Sequence, residues 1–230
     1  MKIFLALFLC VFCLQTFAGD RVLVVVIDLA EQASSYRHFY KMETHTALKK
    51  INRITKGHYD QVIVHNRKEA TRFNFIKTLM TLLADSSVTT IDTIIYLHGK
   101  NEQYENGPSI CFVGETPCVA AKDISAQIAI HPEAHAKLRA LYSDACWGKL
   151  HMQSWLNAGY KVANGSSGVD ANQSVDLGRF LRKWVTGTSF GEATAHANKA
   201  LITRFTDWII KDANSVKSIL GDRDISITDN

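Results

Sequence analysis

The sequence predicts an α/β fold: a three-layer α-β-α sandwich built on one mostly parallel sheet. Apolar runs such as RVLVVVID (21–28) and IDTIIYLHG (91–99) are continuous rather than alternating, as strands covered on both faces must be. Amphipathic stretches long enough to cross over a sheet separate these runs, and strand–helix alternation of this kind builds parallel sheets. The 230 residues include only 3 prolines and show no repeat, linker or low-complexity segment, so residues 19–230 read as one domain.

Residues 1–18, MKIFLALFLCVFCLQTFA, read as a secretory signal. Lys2 supplies the positive start, Ile3 to Leu14 the apolar run, and Thr16-Phe17-Ala18 the cleavage site. The run is short for a bilayer span and no second one follows. Cys10 and Cys13 raise lipoprotein processing, but that needs a small residue before the cysteine, where Leu9 and Phe12 are bulky. The expectation is an exported protein, periplasmic or secreted, with no stable membrane anchor. Its mature part of about 210 residues is long enough for a substantial core.

The elements follow in order. The strand 21–28 precedes a helix over 36–55 that ends near Gly57, and YDQVIVHN (59–66) is the second strand. Phe73, Ile76, Leu79, Met80 and Leu83 recur at helical spacing and place a helix over 69–84. The third strand is 91–99. Ile110–Val113 and Cys118–Ala120 form a hairpin around Gly114-Glu115-Thr116-Pro117. A short helix near 123–129 leads into KLRALYSDAC (137–146), the fourth main strand. Residues 149–158 are helical up to Gly159, and YKVANGS (160–166) is the fifth strand. Two helices close the domain, 176–185 and a long one from Ser189 to Asp212, before a short strand in VKSIL. Ser189 and Glu192 stand three apart as a capping box. Trp155, Trp184, Phe205 and Trp208 fall at helical spacings with other apolar residues and read as core.

The net charge of +4 is spread along the chain without a basic block, which argues against a nucleic-acid partner. Cleavage after Ala18 leaves Cys111, Cys118 and Cys146. Cys111 and Cys118 flank the FVGETP turn and can pair as a disulfide in an oxidising compartment. Cys146 is then the odd thiol, either an intermolecular link, a buried inert residue or a reactive group.

Its position favours reactivity. The third strand ends in His98-Gly99 and the fourth in Asp144-Ala145-Cys146, and the carboxyl ends of parallel strands are where function gathers. On neighbouring strands, an imidazole can take the proton of a thiol and later return it to a leaving amine. The amides of Gly99 and Cys146 are candidate oxyanion donors.

A strand ending in His-Gly, then one ending in Ala-Cys about fifty residues on, resembles the caspase-like cysteine peptidases. That group includes caspases, metacaspases, legumain, clostripain, gingipains and CHAT-domain peptidases. The hairpin between the two strands is similar too. So is NGSSGVDANQSVDLGRFLRKWVTGTSFGEATAHANKAL, with SILGDRD at the end. Trp147 and Lys149 depart from the small or Ser-Gly residues that follow the cysteine in many relatives. The resemblance implies a caspase-like fold and an endopeptidase acting on a peptide or protein substrate. It assigns the nucleophile to Cys146 and the base to His98. No cofactor is required, although calcium assists some members.

In metacaspases and clostripain an acid two residues before the nucleophile lines a pocket for Arg or Lys. Asp144 holds that position, and Asp28 at the end of the first strand can add to it. SSYRH (34–38) resembles the legumain segment that sends an Arg into the pocket; Arg37 there would suit an Asn instead. A non-catalytic binding or regulatory domain, and a ligase using the same acyl-enzyme, are the rival readings. Two motifs are decoys. GTSFG (187–191) fits a serine-hydrolase pattern but follows a helix, not a strand, and HPEAH (131–135) has metal-like spacing but contains Pro132 and lacks a third ligand.

Overall fold

The computed structural model describes residues 19–31, 36–101, 107–171 and 173–229. The signal segment 1–18 lies outside the described residues, as do Ser34 and Ser35 of the SSYRH stretch. Eight strands form one sheet: β1 (Asp20–Asp28), β2 (Gln61–Asn66), β3 (Val88–Lys100), β4 (Ser109–Cys111), β5 (Val119–Ala120), β6 (Leu138–Ser143), β7 (Val162–Ser166) and β8 (Lys217–Gly221). The main order is β2-β1-β3-β6-β7-β8, with the β4–β5 hairpin attached to β3. Every main pair is parallel except β7 with β8.

The continuous apolar strands behave as expected of strands covered twice. Val22, Val24 and Val26 face one layer, which contains α2 (Arg72–Ala84), α3 (Ala121–Ala129) and α5 (Met152–Ala158); the short α4 (Ala134–Lys137) leads into β6. Leu23, Val25 and Ile27 face the other layer, of α1 (Arg37–Thr55), α6 (Gln173–Trp184) and α7 (Phe190–Ala197). These faces alternate along the strand because its side chains have a period of two. Cys111 and Cys118 are joined in a disulfide that closes the hairpin.

The second layer is pinned to the sheet by a buried polar network. Arg139 of β6 makes a bidentate pair with Asp92 of β3, its Nε 3.0 Å from Oδ1 and its Nη2 2.6 Å from Oδ2. Tyr59 donates to the same carboxylate, and Trp184 Nε1 donates to the Tyr59 hydroxyl. A buried charge is tolerated when it is paired and its remaining donors are satisfied, and Arg139 also donates to the Ile227 carbonyl.

The long final helix expected over Ser189–Asp212 is two helices. Ser189 caps α7 through its hydroxyl, which accepts from the Glu192 amide, but α7 ends at Ala197 and α8 spans Leu201–Ile209. At the break, the Asn198 side chain bonds both backbone groups of Lys217 in β8, which fixes the chain's turn there. The second correction concerns the aromatics. Trp155 and Trp184 are core, whereas Phe205 and Trp208 stand exposed. The polar edge of α8 faces inward, because Thr203 donates to Asp176 and Asp207 accepts from Ser215, so its apolar edge turns outward. The HPEAH segment is a turn in which His131 Nδ1 accepts from the Glu133 amide. No helix among the described residues is long and apolar enough to cross a membrane.

Candidate active site

Strand order places a crevice at the carboxyl edge between β1 and β3, where β2 lies on one side of β1 and the later strands on the other. Open α/β sheets bind ligands at such a switch point. His98 emerges there from β3. The register of β3 with β6 pairs Ile95 with Ser143, and three residues further on each chain stand His98 and Cys146. The Asp144 amide still donates to the Ile95 carbonyl, so the two chains remain side by side as the strands end.

Gly99 is required by this closeness, since a Cβ there would collide with the Cys146 carbonyl oxygen. Its amide and that of Asp170 are near enough to the Cys146 thiol to favour its charged form. Burial nevertheless dominates and pushes the thiol up to about 11, against those two amides. The next residue, Trp147, is held at φ 59°, an uncommon conformation for a bulky side chain. Its amide is tied to the Gly168 carbonyl, and Gly148 packs backbone to backbone on Gly165 of β7.

His98 Nε2 lies 2.8 Å from the Leu29 carbonyl oxygen. A carbonyl only accepts, so this nitrogen carries the proton and Nδ1 of the neutral ring is left as the basic atom. Tyr40 of α1 packs edge-on against the His98 ring, 5.1 Å between centroids. Burial raises the Tyr40 phenol, and the nearby Cys146 adds to the effect. Sequence reasoning missed both supports. A backbone carbonyl has no side-chain signature, and Tyr40 is one aromatic on a mostly polar helix.

The three residues expected to face substrate are placed differently from one another. Asp144 is fully buried and pairs with Lys217, whose Nζ is 2.7 Å from Oδ1. Lys217 also pairs with Asp170 and lies over the Tyr142 ring. Burial raises Asp144 from its ordinary value although Lys217 opposes it, and burial raises Asp176 to about 6. Burial works to neutralise Lys217, but Asp144, Asp170 and Asp176 outweigh it and keep the ammonium charged. Asp144, the acid expected to line a pocket for a basic residue, is thus paired in the folded chain with an internal lysine.

Asp28 is a turn residue, accepting from the Glu31 amide at 2.7 Å, and burial raises its carboxyl. It lines a cleft of about 590 Å³ at the ends of β1 and β2, together with Lys41, His45, Arg67 and Glu69. Arg37, the candidate for a legumain-like pocket, is a surface residue paired with Glu31 at 2.8 Å.

Fold and edge together define a caspase-like α/β sandwich with a histidine on one strand and a cysteine in the turn just beyond its neighbour. Among solved structures it is similar to a secreted C11 cysteine protease from Bacteroides thetaiotaomicron in complex with an irreversible peptide inhibitor, with TM-score 0.54 and 11% identity over 88% of this chain. It is also similar to a secreted C11 cysteine protease from the same organism called iotapain, with TM-score 0.53 and 10% identity over 88% of this chain. The chain spans 66% of the length of each. At this identity the likeness establishes a shared fold. No family model and no curated protein matches the sequence.

Proposed function

We propose that the protein is an exported cysteine endopeptidase with Cys146 as nucleophile and His98 as general base and acid. The observation that supports the reading is the closeness of the two chain segments: Ile95 pairs with Ser143, and Gly99, next to His98, comes up against the Cys146 backbone. In this mechanism the Cys146 sulfur attacks a peptide carbonyl carbon as its proton passes to His98 Nδ1. The Gly99 and Cys146 amides receive the charge that develops on the carbonyl oxygen. The C–N bond then breaks, His98 protonates the leaving amine, and an acyl-thioester remains. Water adds to the thioester with His98 taking its proton, the C–S bond breaks, and the thiol is restored. These steps use protein groups alone, and calcium is a variable to include in the assay.

A preference for Arg or Lys before the cut is supported by the carboxylates gathered beyond the thiol. Asp170, which acts electrostatically on the Cys146 thiol, belongs with Asp144 and Asp176 to the acids around Lys217. The outward Arg37 counts against an Asn-specific pocket. A second reading, a caspase-like domain that binds without turnover, is favoured by the burial that pushes the Cys146 thiol up to about 11.

The test is cleavage of a fluorogenic peptide library by residues 19–230, with Cys146→Ala and His98→Ala beside it, with and without calcium. The expected result is cutting that Cys146→Ala abolishes and His98→Ala lowers by about 10²–10⁴-fold. Folded protein that cuts no library member would sink the peptidase reading and leave the binding domain.

A further inference from the structure

We infer that Lys217 is a specificity-determining residue: its ammonium stands between Asp144 and Asp170 where the basic side chain of a substrate would sit, so the chain itself competes for its own acidic pocket. This rests on the reading of Cys146 as nucleophile and deepens it.

Four observations support the inference. The side chains of Lys217, Asp144 and Asp170 are all sequestered from solvent, and the ammonium contacts both carboxylates. The pair is next to the chemistry, because Asp144 is two residues before Cys146 and both Asp170 and Lys217 are near enough to act electrostatically on its thiol. Lys217 is also held in place, since Asn198 accepts from its amide and donates to its carbonyl. A lysine wanted only for solubility would lie along the surface with its head in water. Finally, the acids around Lys217 are not limited to two. Asp176 adds a third carboxylate, anchored by the Thr203 hydroxyl at 2.7 Å.

A buried charge stripped of its partner is costly, and the cost falls when another cation takes the vacated place. Lys217→Met keeps the length of the side chain and removes its charge. The vacancy then suits one guanidinium or ammonium, the head group of an Arg or Lys side chain. In the unaltered protein the preference for a basic residue is correspondingly shallow.

The experiment compares the protein with Lys217→Met in two ways. In the first, kcat/KM is measured on matched peptides with Arg, Lys or norleucine before the cut. The Arg-to-norleucine ratio is expected to rise about tenfold or more in Lys217→Met, the gain of a charge-assisted pair. In the second, the shift of Tm on adding agmatine reports occupation of the pocket without any turnover. Agmatine is expected to stabilise Lys217→Met and to leave the unaltered protein unmoved. Should Lys217→Met fail to fold, Asp144→Asn/Lys217→Met carries one acid fewer and still leaves Asp170 without its lysine, so agmatine stabilisation is expected there too.

An unchanged ratio with no agmatine effect in a folded variant overturns the role of Lys217. Absence of Cys146-dependent cutting in every protein overturns the peptidase reading instead, while the agmatine result still decides the pocket.

Discussion

Gly99 is the residue on which the edge turns, because the chain after β6 comes too close to it for any side chain. Gly99→Ala is expected to push the Cys146 backbone away and lower Cys146-dependent kcat/KM by about 10²-fold, a loss typical of a displaced reacting group. Circular dichroism would check that the fold persists. The thiol makes a second prediction. With burial holding Cys146 at about 11, its alkylation by iodoacetamide should accelerate about tenfold per pH unit from 7 to 10 with no plateau. Mass spectrometry of the Cys146 peptide measures this, and a plateau below pH 9 would contradict it. At this scale the sequence brought two candidate groups to one edge but did not say how they are held. His98 and Cys146 were readable from strand ends. The Leu29 carbonyl was not, and neither was Lys217, since a lysine opening a short strand reads as a solvated end.

Among the elements, the layer pattern was readable because a strand buried on both faces leaves an unbroken apolar run. Such was β1, whose residues Val22–Asp28 are all buried. The break between α7 and α8 was not readable, because nothing in TAHANKALITRF interrupts helical spacing and the cause lies in β8, reached through Asn198. Helical spacing also reports a stripe without saying which way it faces. On α6 the stripe points in, as Trp184 shows; on α8 two side-chain hydrogen bonds turn it out. Substitutions should follow this division. Trp184→Ala is expected to cost about 3–5 kcal/mol, whereas Trp208→Ser should stay within about 0.5 kcal/mol. Urea denaturation compares them, and a large loss at Trp208 would show that α8 packs otherwise.

For the whole molecule, two buried groups give opposite dependences of stability on pH. Burial lowers His151 from its ordinary 6.5 to about 4, so the unfolded chain takes up a proton that the folded chain refuses, and stability is lost as pH falls through that window. Burial raises Asp176 from 3.8 to about 6, so the folded chain holds a proton that the unfolded one releases, and stability is lost as pH rises. Each effect is on the order of 3 kcal/mol, and they oppose one another between pH 4 and 6. Relative to the unaltered protein, His151→Leu should make Tm fall more steeply as pH rises across that range. Asp176→Asn should make it climb. Thermal melts at pH 4, 5 and 6 decide both signs.

The disulfide has a practical consequence. Cys111, one of its two halves, sits directly across β4 from His98, and the next rungs join Gly99 to Ile110 and Lys100 to Ser109. Dithiothreitol added to keep Cys146 reduced therefore also attacks the clasp on the hairpin that flanks the histidine. Turnover should pass through a maximum as reductant is increased, first climbing as oxidised nucleophile is recovered, then declining as the clasp opens. A buffer recipe borrowed from cytosolic thiol enzymes would sit on the falling side of that curve.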